Sequence, residues 1–108
     1  MASFTMVAGD TRVIEVSVVE NGKPVDITNA TIRWAMARTV ADTPLVEKSE
    51  ADGIVIQNGV EGIFSVIIEP ADTATLRGTF YFEVEVNDQG IISTVLTGTM
   101  QINPSLIT

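Results

Sequence analysis

Leu76-Arg77-Gly78-Thr79-Phe80-Tyr81-Phe82-Glu83-Val84-Glu85-Val86 decides the fold. Phe80, Phe82, Val84 and Val86 fall on one side of a period-2 alternation, and Thr79, Tyr81, Glu83 and Glu85 fall on the other. One apolar face and one wet face are what a half-buried β-strand requires, because successive side chains point to opposite sides of a sheet. Gly78 opens the strand and Asn87-Asp88-Gln89-Gly90 closes it. The rest of the chain reads as strands that pack around this one.

Just before it, residues 61–69 alternate as well, with Phe64, Val66 and Ile68 on one face and Ile63, Ser65 and Ile67 on the other. A strand that is apolar on both faces is expected to be central or covered. Pro70-Ala71-Asp72-Thr73-Ala74-Thr75-Leu76 predicts a single helical turn bridging the two strands, with Pro70 at a first helical position and Leu76 dropping into the core. Just after the deciding strand, residues 91–102 form another. Ile92, Leu96, Met100 and Ile102 share its core parity, and Gly98 marks a bulge or a close backbone approach.

Further toward the N-terminus, residues 31–38 place Ile32, Trp34 and Met36 on one side. Trp34 is the only tryptophan, and its apolar neighbours two residues away mark it as a core residue rather than a ligand platform. Residues 11–20 put Ile14, Val16 and Val18 inward, with Val13 and Glu15 on the outer parity. Asn21-Gly22 is a two-residue hairpin signal, since both positions of a type I′ turn need positive φ. Short strands at 45–49 and 54–56 and an apolar edge segment at 4–8 complete the set. Seven to eight short strands, turn signals every eight to twelve residues or so, and no amphipathic helix argue for an antiparallel β-sandwich with one short helical turn near 70–76. A small closed barrel shares that spacing. The mid-strand Trp34 and the helical turn favour the sandwich.

A chain of 108 residues suits one domain spanning 1–108 and a core that needs no staples. It has no cysteine and no histidine, which excludes disulfides, thiolate metal sites, and the usual Ser-His-Asp, Cys-His and zinc-hydrolase chemistries. Its net charge of −8, from 14 acidic and 6 basic residues, opposes nucleic-acid and anionic-membrane partners. The start, Met1-Ala2-Ser3-Phe4-Thr5-Met6, lacks a basic n-region, so no signal peptide is read. No segment approaches the roughly 20 apolar residues that span a bilayer. The chain reads as a complete cytoplasmically made product or as one excised domain.

Catalytic and metal motifs are thin. Asp42, Glu47, Glu50, Asp52 and Glu61 make an acidic middle but form no calcium loop, and read as solvated turn acids. Glu83 and Glu85 share a strand face about 7 Å apart, with no cleft expected between them. The glycines sit at turns and never form a phosphate-cradling loop. Asn29-Ala30-Thr31 matches a glycosylation acceptor, which means little without secretion. No enzyme, cofactor or metal is expected. Tyr81, on the wet face beside Glu83, reads first as a cross-strand pair and second as an anchor for a sugar or a partner.

An ordered set of landmarks runs through the chain. These are Ala8-Gly9-Asp10-Thr11, then Asn21-Gly22-Lys23-Pro24-Val25-Asp26-Ile27-Thr28-Asn29-Ala30 and Ile32-Arg33-Trp34. Gly62-Ile63-Phe64, Asp72-Thr73 with Leu76, Gly78-Thr79-Phe80-Tyr81-Phe82-Glu83 and Thr97-Gly98-Thr99-Met100 follow. Over nearly the whole chain this resembles the small immunoglobulin-like domains of tailed-bacteriophage baseplate and tail proteins, and is similar to the N-terminal domain of baseplate upper proteins. Phe80 departs from the pattern, which implies Tyr there, so no hydroxyl-to-backbone corner bond is carried over. The resemblance implies an immunoglobulin-like fold and a non-enzymatic virion structural or interaction module, made in the host cytoplasm. Its partners would be other virion proteins or copies of itself in a homo-oligomer, or a host-surface glycan. A carbohydrate-binding module and an immunoglobulin-like spacer of a bacterial surface protein are the alternatives. The apolar outer positions Val13 and Val19, or Ile63 and Ile67, are where a subunit contact is expected, with Tyr81 as the site for a sugar.

Overall fold

The computed structural model describes residues 2–107. In chain order the strands are β1 (Ala2–Val7), β2 (Arg12–Ser17), β3 (Val19–Glu20), β4 (Lys23–Pro24), β5 (Thr31–Ala37), β6 (Val46–Glu50), β7 (Gly53–Asn58) and β8 (Ile63–Ile68). A single helical turn, α1 (Pro70–Thr73), precedes the hairpin of β9 (Gly78–Asp88) and β10 (Ile91–Asn103). Eight strands form one sheet in the order β1-β10-β9-β5-β6-β7-β8-β2, and β3 and β4 form a two-residue ribbon of their own. The all-β class and the short helical turn are as the sequence predicts, but ten strands stand where seven to eight are expected, the two extra being the short ribbon of β3 and β4. Most pairings are antiparallel, but β1 runs parallel to β10 and β6 runs parallel to β7. The parallel pairs make the sheet mixed.

The strand that decides the sequence reading is also the middle of the core. Phe80, Phe82, Val84 and Val86 are buried on β9, and Ile32, Trp34 and Met36 are buried beside them on β5. Trp34 meets Phe82 at 5.9 Å between ring centroids, and Phe82 meets Phe4 of β1 at 5.6 Å. Phe64, Val66 and Ile68 close the core from β8. Each period-2 stripe therefore faces another, as a two-layer β architecture requires.

Two features set the sheet's shape. First, its edges β1 and β2 are consecutive in the chain, so the sheet curls until they come together across the turn at 8–11. Gly9 makes that turn with φ +82°. Arg12 reaches from one edge to the other: its Nη1 donates to the Thr5 carbonyl at 3.2 Å, and its guanidinium lies 5.3 Å from the Phe4 ring centroid. Second, the ladder of β10 on β9 slips by one residue between Thr94 and Leu96, leaving Val95 as an extra residue. Gly98 keeps its register opposite Phe82, so the bulge lies three residues before the glycine. The slip reverses the alternation. Leu96, Met100 and Ile102 face the core, opposite Val84, Phe80 and Gly78, but Ile92 stands opposite Asn87 on the outer face.

The helical turn is fastened from two sides. Lys48 of β6 lies opposite Trp34 on the inward parity and is 7% exposed. Its Nζ sits 2.7 Å from Asp72 Oδ2, and the same carboxylate oxygen accepts the Glu69 N–H at 2.7 Å. The Gly9 N–H donates to the buried Thr73 hydroxyl at 3.0 Å. Gly53, at φ +99°, lets the lysine stem pass; a Cβ there would lie 2.6 Å from Lys48 Cδ.

A buried charge that loses its partner costs far more than the pair contributes. Asp72→Ala, which strands the Lys48 ammonium, is therefore expected to lower stability by about 3 kcal/mol or more. Lys48→Met keeps the apolar stem and leaves a carboxylate that water reaches, and is expected to cost about 1 kcal/mol. Urea unfolding of the two variants checks the order; equal losses would show that the ion pair is not what holds the turn.

Candidate interaction surface

Three separate places hold the five residues expected to meet a partner. The first is the outer face of β2, β8 and β7. Val13 stands directly opposite Ile67, and Ser17 opposite Ile63. Val55 of β7 lies opposite Ser65 on the same face. Directly opposed residues bring their Cβ atoms to about 5 Å, so Val13 and Ile67 form one apolar contact. Val13 is 57% exposed, while Ile67 and Ile63 are half-buried. β2 is an edge strand with no partner on its far side among the described residues.

Val19 is elsewhere. It pairs with Pro24 across the Asn21-Gly22 turn, whose φ values of 53° and 78° are those the dipeptide predicts. This small hairpin faces the tip of the β9–β10 hairpin across a cleft of about 330 Å³. Val18, Val25 and Val86 line it from within, and Ile91, Ser93 and Val95 line it from β10. Glu20, Asp26 and Asp88 also border it. Asp26 accepts the Thr28 hydroxyl at 2.6 Å and the Thr28 N–H at 2.9 Å, and these two bonds hold its carboxyl below the usual carboxylate range. Ile91 and Val95 are the residues that the alternation does not single out. Carrying one parity through Val95 hides them.

Tyr81 occupies the third place, on the outer face of β9 between Ala37 of β5 and Thr99 of β10. It is half-buried, and its hydroxyl donates to Glu83 Oε2 at 2.9 Å. Two of the mid-chain acids have backbone or ionic partners. Glu50 Oε1 accepts the Ile32 N–H at 2.7 Å, and Glu47 pairs with Arg33 at 3.1 Å on the exposed face. Among the described residues, no three His, Cys, Asp or Glu side chains converge as a metal site would need.

A family model described as the BppU N-terminal domain matches residues 3–108. Among solved structures, the chain is similar to the N-terminal domain of phage TP901-1 ORF48, with 15% sequence identity and a TM-score of 0.61. The likeness covers 96% of this chain and 85% of that one, and at that identity it speaks for the fold alone. No match was found among curated proteins.

Burial of the phenol, and then the bonded, charged Glu83, push the Tyr81 hydroxyl above its usual 10.0. The folded state therefore favours the neutral phenol. The stabilisation is full below the unfolded value and is lost as pH rises through the folded one. Tyr81 is the only tyrosine, so its ultraviolet absorbance titration reports this group directly. The midpoint is expected above 10.0, and Glu83→Gln is expected to bring it down. An unchanged midpoint in that variant would leave burial as the whole cause.

Proposed function

The chain belongs to the BppU N-terminal domain family, the N-terminal domains of phage baseplate upper proteins, and from that premise we propose that it is a non-enzymatic assembly module. Its role is structural, in the tail or baseplate of the phage particle. Residues 1–108 act as one immunoglobulin-like domain whose partners are other virion proteins and further copies of itself. The absence of histidine and cysteine supports the non-enzymatic reading, since the commonest general base and the thiol nucleophile are missing.

The observation that carries the assembly reading is the Val13–Ile67 pair. Exposed Val13 of the edge strand β2 stands opposite half-buried Ile67 of the neighbouring β8 on the outer face, in a chain whose charge is −8. Homo-oligomers normally close by symmetry, so the same patch can serve every copy. Val13 and Ile67, with Ile63 farther along β8, form the proposed subunit contact. Val19 and Tyr81 lie outside it.

Light scattering over a concentration series tests this. A homo-oligomer that dissociates on dilution is expected. Val13→Asp, at an exposed position that the fold tolerates, is expected to weaken association at least tenfold, about 1.4 kcal/mol, without lowering the melting temperature. A monomer at every concentration, or a variant of unchanged mass, would overturn the contact.

A further inference from the structure

The β9–β10 hairpin extends past the strand that covers it. β1 pairs with β10 from Gly98 to Asn103. Residues 91–96 of β10 pair with β9 and with nothing on their other side among the described residues. That free edge, Ile91-Ile92-Ser93-Thr94-Val95-Leu96, contains no charge and no proline. Native proteins usually blunt such an edge with Lys, Pro, a bulge or a covering segment. Only the bulge at Val95 is present here, and it leaves residues 91–94 paired with β9 on one side. Ile91 is 73% exposed and Ile92 is 60% exposed.

The edge is also preformed. Gln89 and Gly90, with φ values of 55° and 91°, close the hairpin, and Asn87 Oδ1 accepts the Gly90 N–H at 2.9 Å. Holding the edge in place before binding lowers the ordering cost of adding a strand. The cleft bounded by Ile91, Ser93 and Val95 opens on the inward side of the same stretch. Its border carries Glu20, Asp26 and Asp88, with Lys23 opposite Glu20.

We propose that residues 91–96 receive an extended segment of a different protein, one with apolar residues at alternate, cleft-facing positions and Lys or Arg at the two ends of that same face. The segment adds a strand to the sheet in line with β1, over about 20 Å. Its main chain pairs with β10, alternate apolar side chains enter the cleft against Val18, Val25 and Val86, and its basic groups meet the acids. Charge decides against a second copy as occupant. Three acids against one lysine leave this border negative, and another chain of net charge −8 would be repelled from it. The surface is distinct from the Val13–Ile67 contact, so either can fail alone.

The test uses the full chain, isotope-labelled for NMR, and a synthetic nine-residue peptide, Lys-Thr-Val-Thr-Val-Thr-Val-Thr-Lys, whose valines and terminal lysines share one face of the strand. Shifted and exchange-protected amides are expected at residues 91–96, with shifts at Val18 and Val25. A version with glutamate in place of lysine, or with proline at its centre, is expected to bind at least tenfold more weakly. Ile91→Lys is expected to weaken binding at least tenfold at unchanged melting temperature, and Val13→Asp to leave it unaltered. No binding at millimolar peptide, shifts that map elsewhere, or equal binding of the lysine and glutamate peptides would overturn the proposal. Edge amides that shift with protein concentration alone would overturn it too, by identifying a second copy as the occupant.

Discussion

Two strands that follow each other in the chain, β1 and β2, stand at opposite edges of one eight-stranded sheet. A turn of a few residues joins them, so the sheet has no choice but to curl until its edges come together. Everything inside follows from that curl. The inward stripes of β9, β5 and β8 are brought face to face, and Phe4, Phe82 and Trp34 pack in sequence across the interior. No ladder joins β1 to β2 among the described residues, and the Arg12 guanidinium, on the Phe4 ring and the Thr5 carbonyl, links the two edges instead. A flat guanidinium suits that position because it can donate to a carbonyl and lie on an aromatic face at once.

The parts of this fold that the amino-acid order discloses are those governed by local rules. Phe80 to Val86 alternate and are buried in alternation; Asn21-Gly22 takes the two positive φ values that its hairpin needs; Pro70 opens a helical turn. The two parallel pairings are another matter. β1 on β10 and β6 on β7 join segments whose alternation is compatible with several neighbours, and the choice among them is made by tertiary packing. The bulge is an intermediate case, because counting from the turn would have found it. With Asp88 opposite Ile91, an unbroken ladder would set Val95, Thr97 and Thr99 against Val84, Phe82 and Phe80. Two threonines would then face the core in place of Gly98 and Met100. One extra residue before Leu96 removes that conflict, and Val95 is that residue.

The candidate surfaces were legible to the same degree. Val13 and Ile67 stand out as apolar residues on outward parities, but only the β2·β8 register makes them neighbours. Val19 has the same exposure as Val13 and lies on another surface, because the chain leaves the large sheet at Val18 to form its own ribbon. Tyr81 and Glu83 are two residues apart on one strand face, which is why the hydroxyl finds the carboxylate without help from distant parts of the chain. Ile91 and Val95 could not be read from alternation alone, since their exposure comes from a length mismatch: β10 spans 13 residues and β1 spans 6.

That mismatch leaves part of an edge uncovered among the described residues. A sheet curled on itself has two edges to protect, and here each is protected in part. Among the described residues, β2 keeps an open flank, and β10 is covered only where β1 reaches it. Open edges are places where any extended chain can add, so a protein that leaves them open needs another way to exclude wrong partners. The net charge of −8 supplies one. Copies of the chain repel one another at distances beyond contact, over a screening length of about 8 Å at physiological salt. Association then requires either a close apolar contact strong enough to overcome that repulsion, or a partner of opposite charge that is drawn in by it. On the reading proposed above, the Val13–Ile67 pair would meet the first condition and the acid-bordered cleft beside residues 91–96 the second, so that one charge distribution would separate like from unlike partners at two different edges.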